Sequence, residues 1–203
     1  EKLNLGIVGV AGRGGENLAG VRHQNIVALC DVDSGRLGAA SKQFPGAFTC
    51  SDYRRLLDRK DLDGVVISTP DHTHAVIAIA ALQSGRPVYC EKPLTHTVSE
   101  VRRLVEVARK SKLPTQTGNQ IPATDNYRRV AQLARSGVIG DIHEVHHWAG
   151  SAWETKPLPP ATPVPAGLDY DQWVGPVTWR DYSPEWVHFN WRRWWHFGGG
   201  TLS

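Results

Sequence analysis

Residues 6–15 read GIVGVAGRGG, and what surrounds them decides the fold. A β-branched run, LNLGIVG, precedes the glycines, and a helical pattern follows them. The fingerprint G-x-G-x-x-G joins a strand to a helix by a tight turn, lets backbone approach a pyrophosphate, and packs helix on strand. Its three positions here are Gly9, Ala11 and Gly14, so alanine stands at the middle glycine, with Gly12 beside it. The extra methyl moves a pyrophosphate slightly outward. By itself such a turn also serves a strand-to-helix connection that holds no nucleotide.

Working outward, Asp31 ends the second apolar run 17 residues after Gly14. That is near the spacing of about 20 at which a carboxylate accepts bonds from ribose hydroxyls. A carboxylate there repels a 2′-phosphate, which favours NAD, while Arg36 keeps NADP open. Six strand candidates follow one another: LNLGIVG, NIVALCD, GAFTC, GVVISTP, PVYCEKP and LPTQTG. Helical segments lie between them. Asp52 is placed to cap YRRLLDRK, HAVIAIAALQSG stops at Gly85, and Thr97 with Glu100 forms a capping box before VRRLVEVARKS. Alternating strands and helices predict an α/β doubly wound parallel sheet, whose ligands bind beyond the carboxyl ends of the strands.

The texture changes after about Gln120. A helix is expected at NYRRVAQLARSG and an alternating strand at GDIHEVHHWAG, before a passage with five prolines from Pro157 to Pro165. Seven of the eight tryptophans fall from Trp153 onward. The expected division is a dinucleotide-binding domain over 1–121, then the N-terminal part of an incomplete α+β open-sheet domain over 122–203. At 203 residues the chain suits one domain and part of another, if domains run ~100–150 residues.

Composition excludes several functions. A net charge of +3, not gathered into a run, implies no nucleic-acid partner. The longest apolar stretch, AVIAIAAL, is far short of the ~20 residues that span a bilayer, so no membrane partner is expected. Cys30, Cys50 and Cys90 lie 20 and 40 residues apart, neither a metal spacing nor an even disulfide set, and lean toward a reducing, cytoplasmic setting. The chain holds no Met, so a tag, a signal peptide or a leader is expected to have preceded Glu1, which leaves periplasmic export open.

The chemistry gathers at strand ends. In STPDHTHA, Thr69 and Pro70 end the fourth strand, and His72 and His74 open the next helix; at i,i+2 they do not face each other for a metal. In CEKPLTH, Lys92 lies between Glu91 and Pro93 at the end of the fifth strand, aimed into the same crevice. Burial beside a cationic nicotinamide would let it move a substrate hydroxyl proton. On a strand, His143 and His147 of HEVHHW lie ~13 Å apart on one face, too far to share an ion. No metal is expected.

In order and register, GVAGRGG, CDVD, STPDHTHA, CEKPL and QTGNQ resemble the Gfo/Idh/MocA oxidoreductases, the family of glucose–fructose oxidoreductase and inositol dehydrogenase. The resemblance covers essentially the whole chain. It implies a nucleotide-binding Rossmann domain, an α/β domain used for homo-oligomer formation, and hydride transfer between NAD(P) and a sugar, polyol or glycoside carbinol carbon. It assigns Lys92 as catalytic and puts a cis bond before Pro93. It sets Gly9, Ala11, Gly12, Arg13, Gly14, Asp31, Thr69, Pro70, His74, Glu91, Lys92 and Asn119 at the cofactor. Lys92 and Gln120 then face a carbohydrate substrate. The tail WRRWWHFGGG matches a stretch of one family subgroup, which adds Trp191, Arg192, Trp195 and His196 as substrate contacts; His196 stands where an acidic residue is expected. The tryptophans serve equally to fill a core.

The resemblance also implies a G-x-x-x-D-x-x-x-H motif. With Gly200 as its first residue, Ser203 is its third spacer, so a chain ending there is expected to turn over little. Two other outcomes suit the same residues. One is redox-assisted glycoside cleavage with no net use of NAD. The other is a non-enzymatic nucleotide sensor, which has no need of Lys92.

Overall fold

The computed structural model describes residues 1–120, 124–146, 148 and 156–200. Six parallel strands form one sheet: β1 (Asn4–Val8), β2 (Asn25–Cys30), β3 (Phe48–Cys50), β4 (Gly64–Ile67), β5 (Val88–Glu91) and β6 (Thr115–Gly118). Their order is β3-β2-β1-β4-β5-β6. The order reverses between β1 and β4, the point where this architecture opens a crevice for ligands. All six expected strands are present, each trimmed by a residue or more at its ends.

Alternation fixes the two faces of the sheet. Ile7, Leu29 and Val66 belong to one apolar cluster, closed by Leu18 of helix α1 (Arg13–Val21) and Ala40 of α2 (Ser34–Ser41). Their neighbours Val8, Cys30 and Ile67 belong to the other. That second cluster is closed by α3 (Tyr53–Leu57), α4 (Asp71–Gln83) and α5 (Val98–Ser111). Side chains of successive strand residues leave on opposite sides, so one strand feeds two cores. Helix α4 is apolar from Ala75 to Leu82, where it lies between sheet and α5, and nine of its 13 residues are buried.

The helix ends obey local chemistry. Asp52 accepts the Arg54 backbone N–H, and Thr97 with Glu100 makes the reciprocal capping box. Ser84 closes α4, and Gly85 follows with φ +83°, a left-handed position that glycine occupies without strain.

Beyond β6, helix α6 (Asp125–Arg135) forms where expected, capped by Thr124, and none of its residues is buried. The run GDIHEVHHWAG departs from its expected reading. Its described residues, 140–146 and 148, form no strand, and Ile142, Val145 and Trp148 are exposed. An alternating pattern becomes a strand only when another strand takes up its backbone groups, and none among the described residues lies against it. The histidine pairing there cannot be followed, because His147 lies outside the described residues. His143 is exposed, and His146 stacks on Trp148 and pairs with Glu144. Residues 156–165, rich in proline, carry no regular structure.

Residues 168–200 form a third apolar cluster around Tyr170, Trp173, Trp186, Trp191 and Phe197, organised by the short helix α7 (Tyr170–Val174). This segment lies against the carboxyl ends of the strands. At one side Ser34 N–H donates to Gly167 O and Asp169 N–H to Val32 O, at 2.9 and 2.8 Å. At the other it meets the first turn of α4 through His72. Among the described residues no helix is long and apolar enough to cross a membrane.

Candidate functional site

Between the strand ends and the aromatic segment lies a cavity of about 1090 Å³. Its walls come from the glycine turn, the ends of β2, β4 and β5, and residues 171–176 and 188–192. The turn is built for close approach. A Cβ on Gly14 would lie 2.0 Å from Gly9 O, so α1 comes as near to β1 as backbone allows. At Gly12, with φ +55°, the same Cβ would meet nothing within 4 Å, and that position opens into the cavity. Gly9, Ala11, Gly12 and Arg13 line the wall, whereas Gly14 is buried beneath it. Arg13 pairs with Glu16 on the rim.

Asp31 lines the cavity beyond the turn. Its Oδ2 accepts the Val10 N–H and its Oδ1 the Asp33 N–H, both at 3.0 Å. Burial pushes its carboxyl above the usual range, opposed by those two bonds and by Arg36. Asp33 caps α2 and pairs with His188 of the aromatic segment at 3.1 Å.

At the far end, Glu91 is 4% exposed and gathers three elements. Asn17 of α1 donates to its Oε1 at 2.8 Å, Tyr89 to the same oxygen at 3.3 Å, and Gln120 to Oε2 at 2.7 Å. Lys92 follows on the cavity wall, and its bond to Pro93 is cis. Gln120 shares this wall, while Asn119 is exposed and lies off it.

The first turn of α4 joins these parts. Thr69, Pro70 and Asp71 line the cavity. His74 does not: it is 1% exposed, and its ring nitrogens lie 2.7 and 2.8 Å from the carbonyl oxygens of Pro93 and Thr69. A ring so engaged ties the Lys92 loop to the end of β4 and lies behind the cavity wall. His72 is fully buried, 2.7 Å from Trp173 O and 3.3 Å from Phe197 O. Burial pulls its pKa down to about 4, so it is neutral at ordinary pH and has one N–H for the two carbonyls.

Of the aromatic tail, Trp191 and Arg192 reach the cavity. Arg192 lies over the rings of Trp191 and Phe189, at 4.1 and 4.7 Å. Trp195 is 82% exposed and off the wall. His196 is also off it, 2.6 Å from Thr178 O. Sequence reasoning passed over Asp71, whose carboxylate is 3% exposed on the wall and accepts the Gly199 N–H at 3.4 Å. Burial pushes its carboxyl up, against the pull of His74, Arg192 and Lys92. Its only signal was a place one residue after Pro70, in a motif already singled out for its histidines.

Residues 3–119 match the family model described as "Oxidoreductase family, NAD-binding Rossmann fold", and residues 129–203 match "Oxidoreductase family, C-terminal alpha/beta domain". The chain belongs to the Gfo/Idh/MocA oxidoreductase family. Inositol 2-dehydrogenase 2 of Saccharopolyspora erythraea is 32% identical over 169 residues, covering 79% of this chain and 48% of that protein. Glycosyl hydrolase family 109 protein 1 of Shewanella sp. (strain ANA-3) is 33% identical, over 77% of this chain and 40% of its own. Among solved structures, myo-inositol 2-dehydrogenase from Lactobacillus plantarum superposes with a TM-score of 0.66 at 26% identity, over 70% of this chain and 43% of that one. The chain therefore spans about half the length of the curated relatives it matches, or less.

Proposed function

We propose that this chain forms the cofactor half of an NAD(P)-dependent oxidoreductase acting on the carbinol carbon of a sugar or polyol. One observation carries the reading: the glycine turn, Asp31 and Lys92 share the walls of a single cavity at the strand-order reversal. The residues present suit a dinucleotide. Gly12 leaves an open approach at the start of α1, where helix N–H groups favour a pyrophosphate, and Asp31 offers carboxylate oxygens to a ribose. When bound, the nicotinamide supplies the hydride acceptor. Lys92 holds or removes the hydroxyl proton of the carbinol, and Glu91 fixes the loop that carries it. Arg192, laid over the buried Trp191 ring, offers a cation to a hydroxylated ring. The carboxylate at Asp31 favours NAD, with Arg36 available to a 2′-phosphate.

The likeness to a glycosyl hydrolase family 109 protein supports a second reading, transient oxidation of a glycoside that ends in cleavage. Both readings are tested on the whole protein with NAD, myo-inositol and a chromogenic glycoside. NADH accumulation on a polyol, lost in Lys92→Ala, supports the dehydrogenase. Aglycone release without NADH supports the second. An unchanged rate in Lys92→Ala refutes both.

A further inference from the structure

Two of the three cysteines stand side by side at the carboxyl end of the sheet. Cys30 ends β2 and Cys50 ends β3, and the two are direct register partners in parallel strands. Both side chains join the same apolar cluster, so they leave the same face of the sheet. Neighbouring strands lie about 4.8 Å apart, inside the Cα separation of roughly 4.4–6.8 Å that a disulfide spans. Cys30 Sγ lies 3.5 Å from Ser51 O, and Cys50 Sγ 4.0 Å from Leu29 O, so each sulfur reaches across to the other strand. Cys30 also lines the large cavity, which gives a small oxidant a path to a thiol that is otherwise buried.

We propose that Cys30 and Cys50 are a peroxide-oxidisable dithiol that closes to a disulfide at the nucleotide end of the cavity. The two sulfurs are unequal. Cys30 lines the cavity wall and Cys50 does not. The sulfur that meets peroxide attacks as the thiolate. It cleaves the O–O bond of hydrogen peroxide, keeps one oxygen as sulfenic acid, and one water leaves. The sulfur of the other cysteine then displaces that oxygen, forming the S–S bond and a second water. Two thiols lose two electrons and two protons in all, and one peroxide becomes two waters. Cys90 serves as an internal control: it is fully buried, is off the cavity wall, and burial pushes its thiol up to about 12.

The site touches the ligand wall directly. Asp31 follows Cys30, Ser51 follows Cys50, and both line the cavity, with Asp31 N–H donating to Cys50 O at 3.2 Å. A bridge here tightens the strand ends that would hold the ribose, and a bound nucleotide covers the approach to Cys30. Only this shielding rests on the nicotinamide reading; the bridge does not.

The test treats the native chain with hydrogen peroxide and maps the peptides after alkylation, without reduction. The expected product has lost two hydrogens, links the Cys30 and Cys50 peptides, and leaves Cys90 alkylated. Three free thiols, a bridge to Cys90, or Cys50 oxidised with Cys30 still alkylated would each overturn the proposal. With NAD bound, as followed by tryptophan fluorescence, bridge formation is expected to slow roughly tenfold, as for a covered thiol. Equal rates with NAD bound overturn the access route through the cavity. Failure of NAD to bind counts against the proposed function and leaves the disulfide result standing.

Discussion

Replacing Gly14 by alanine puts a methyl carbon 2.0 Å from Gly9 O and 2.7 Å from Gly9 C. Both are backbone atoms, held between β1 and the end of β4, and no side-chain rotation relieves the clash. Ordinary contact begins near 3.4 Å, so α1 must retreat from β1 by more than an ångström. Overpacking typically costs ~1–3 kcal/mol, and a backbone clash of this depth falls at or above the top of that range. At roughly 2–4 °C per kcal/mol for a chain this long, Gly14→Ala should lower Tm by about 6–12 °C. The control lies in the same helix. A Cβ at Gly20 meets nothing within 4 Å, so Gly20→Ala should be neutral or stabilise by up to ~1 kcal/mol, through lost freedom in the unfolded chain. Urea and thermal unfolding followed by circular dichroism measure both. A Gly14→Ala protein within ~0.5 kcal/mol of the parent would refute the close-approach argument.

Three further outcomes follow from other sites. His72 is held neutral with a pKa near 4, against about 6.5 when unfolded, so the unfolded chain binds the extra proton first. Stability should be highest above pH 6.5 and fall by about 3 kcal/mol as pH drops toward 4, and urea midpoints should lose that slope in His72→Gln. Trp191→Ala removes a side chain that is 4% exposed and should cost ~3–5 kcal/mol, read in unfolding and near-ultraviolet dichroism. Unchanged stability would place that ring outside the core. Glu91→Gln turns an acceptor of three donors into a group with an amide aimed at some of them, and should cost about 1–3 kcal/mol. Isothermal titration should then show weaker NAD binding as well; unaltered stability and affinity would remove Glu91 from its organising role.

What was legible in the sequence was what neighbouring residues decide among themselves. Thr97 and Glu100 are three apart and cap α5 by their own geometry. Ile7 and Val8 face opposite cores because strands alternate. The run from Gly140 had the same alternation but lacks a partner strand among the described residues, and pairing is never local. The site divides similarly. Asp31 and Lys92 sit at strand ends that the pattern locates. His72 meets carbonyls 101 and 125 residues away, and Asp71 meets an N–H 128 away, so their surroundings had no signature in their own stretch. His74 is held off the cavity wall by the carbonyl oxygens of Pro93 and Thr69, backbone partners that residue identity does not display.

The aromatic segment is fastened at the loop after β2 and at the first turn of α4, and also from Arg54 to Gln172 and from His96 to Trp195 O. Such a strap behaves as a multivalent ligand for the sheet beneath it. If one fastening opens, the others keep the free end at an effective concentration of order millimolar, and rebinding outruns escape. Weakening any one alone should therefore loosen the cavity roof far less than weakening several, so single substitutions understate what the set contributes.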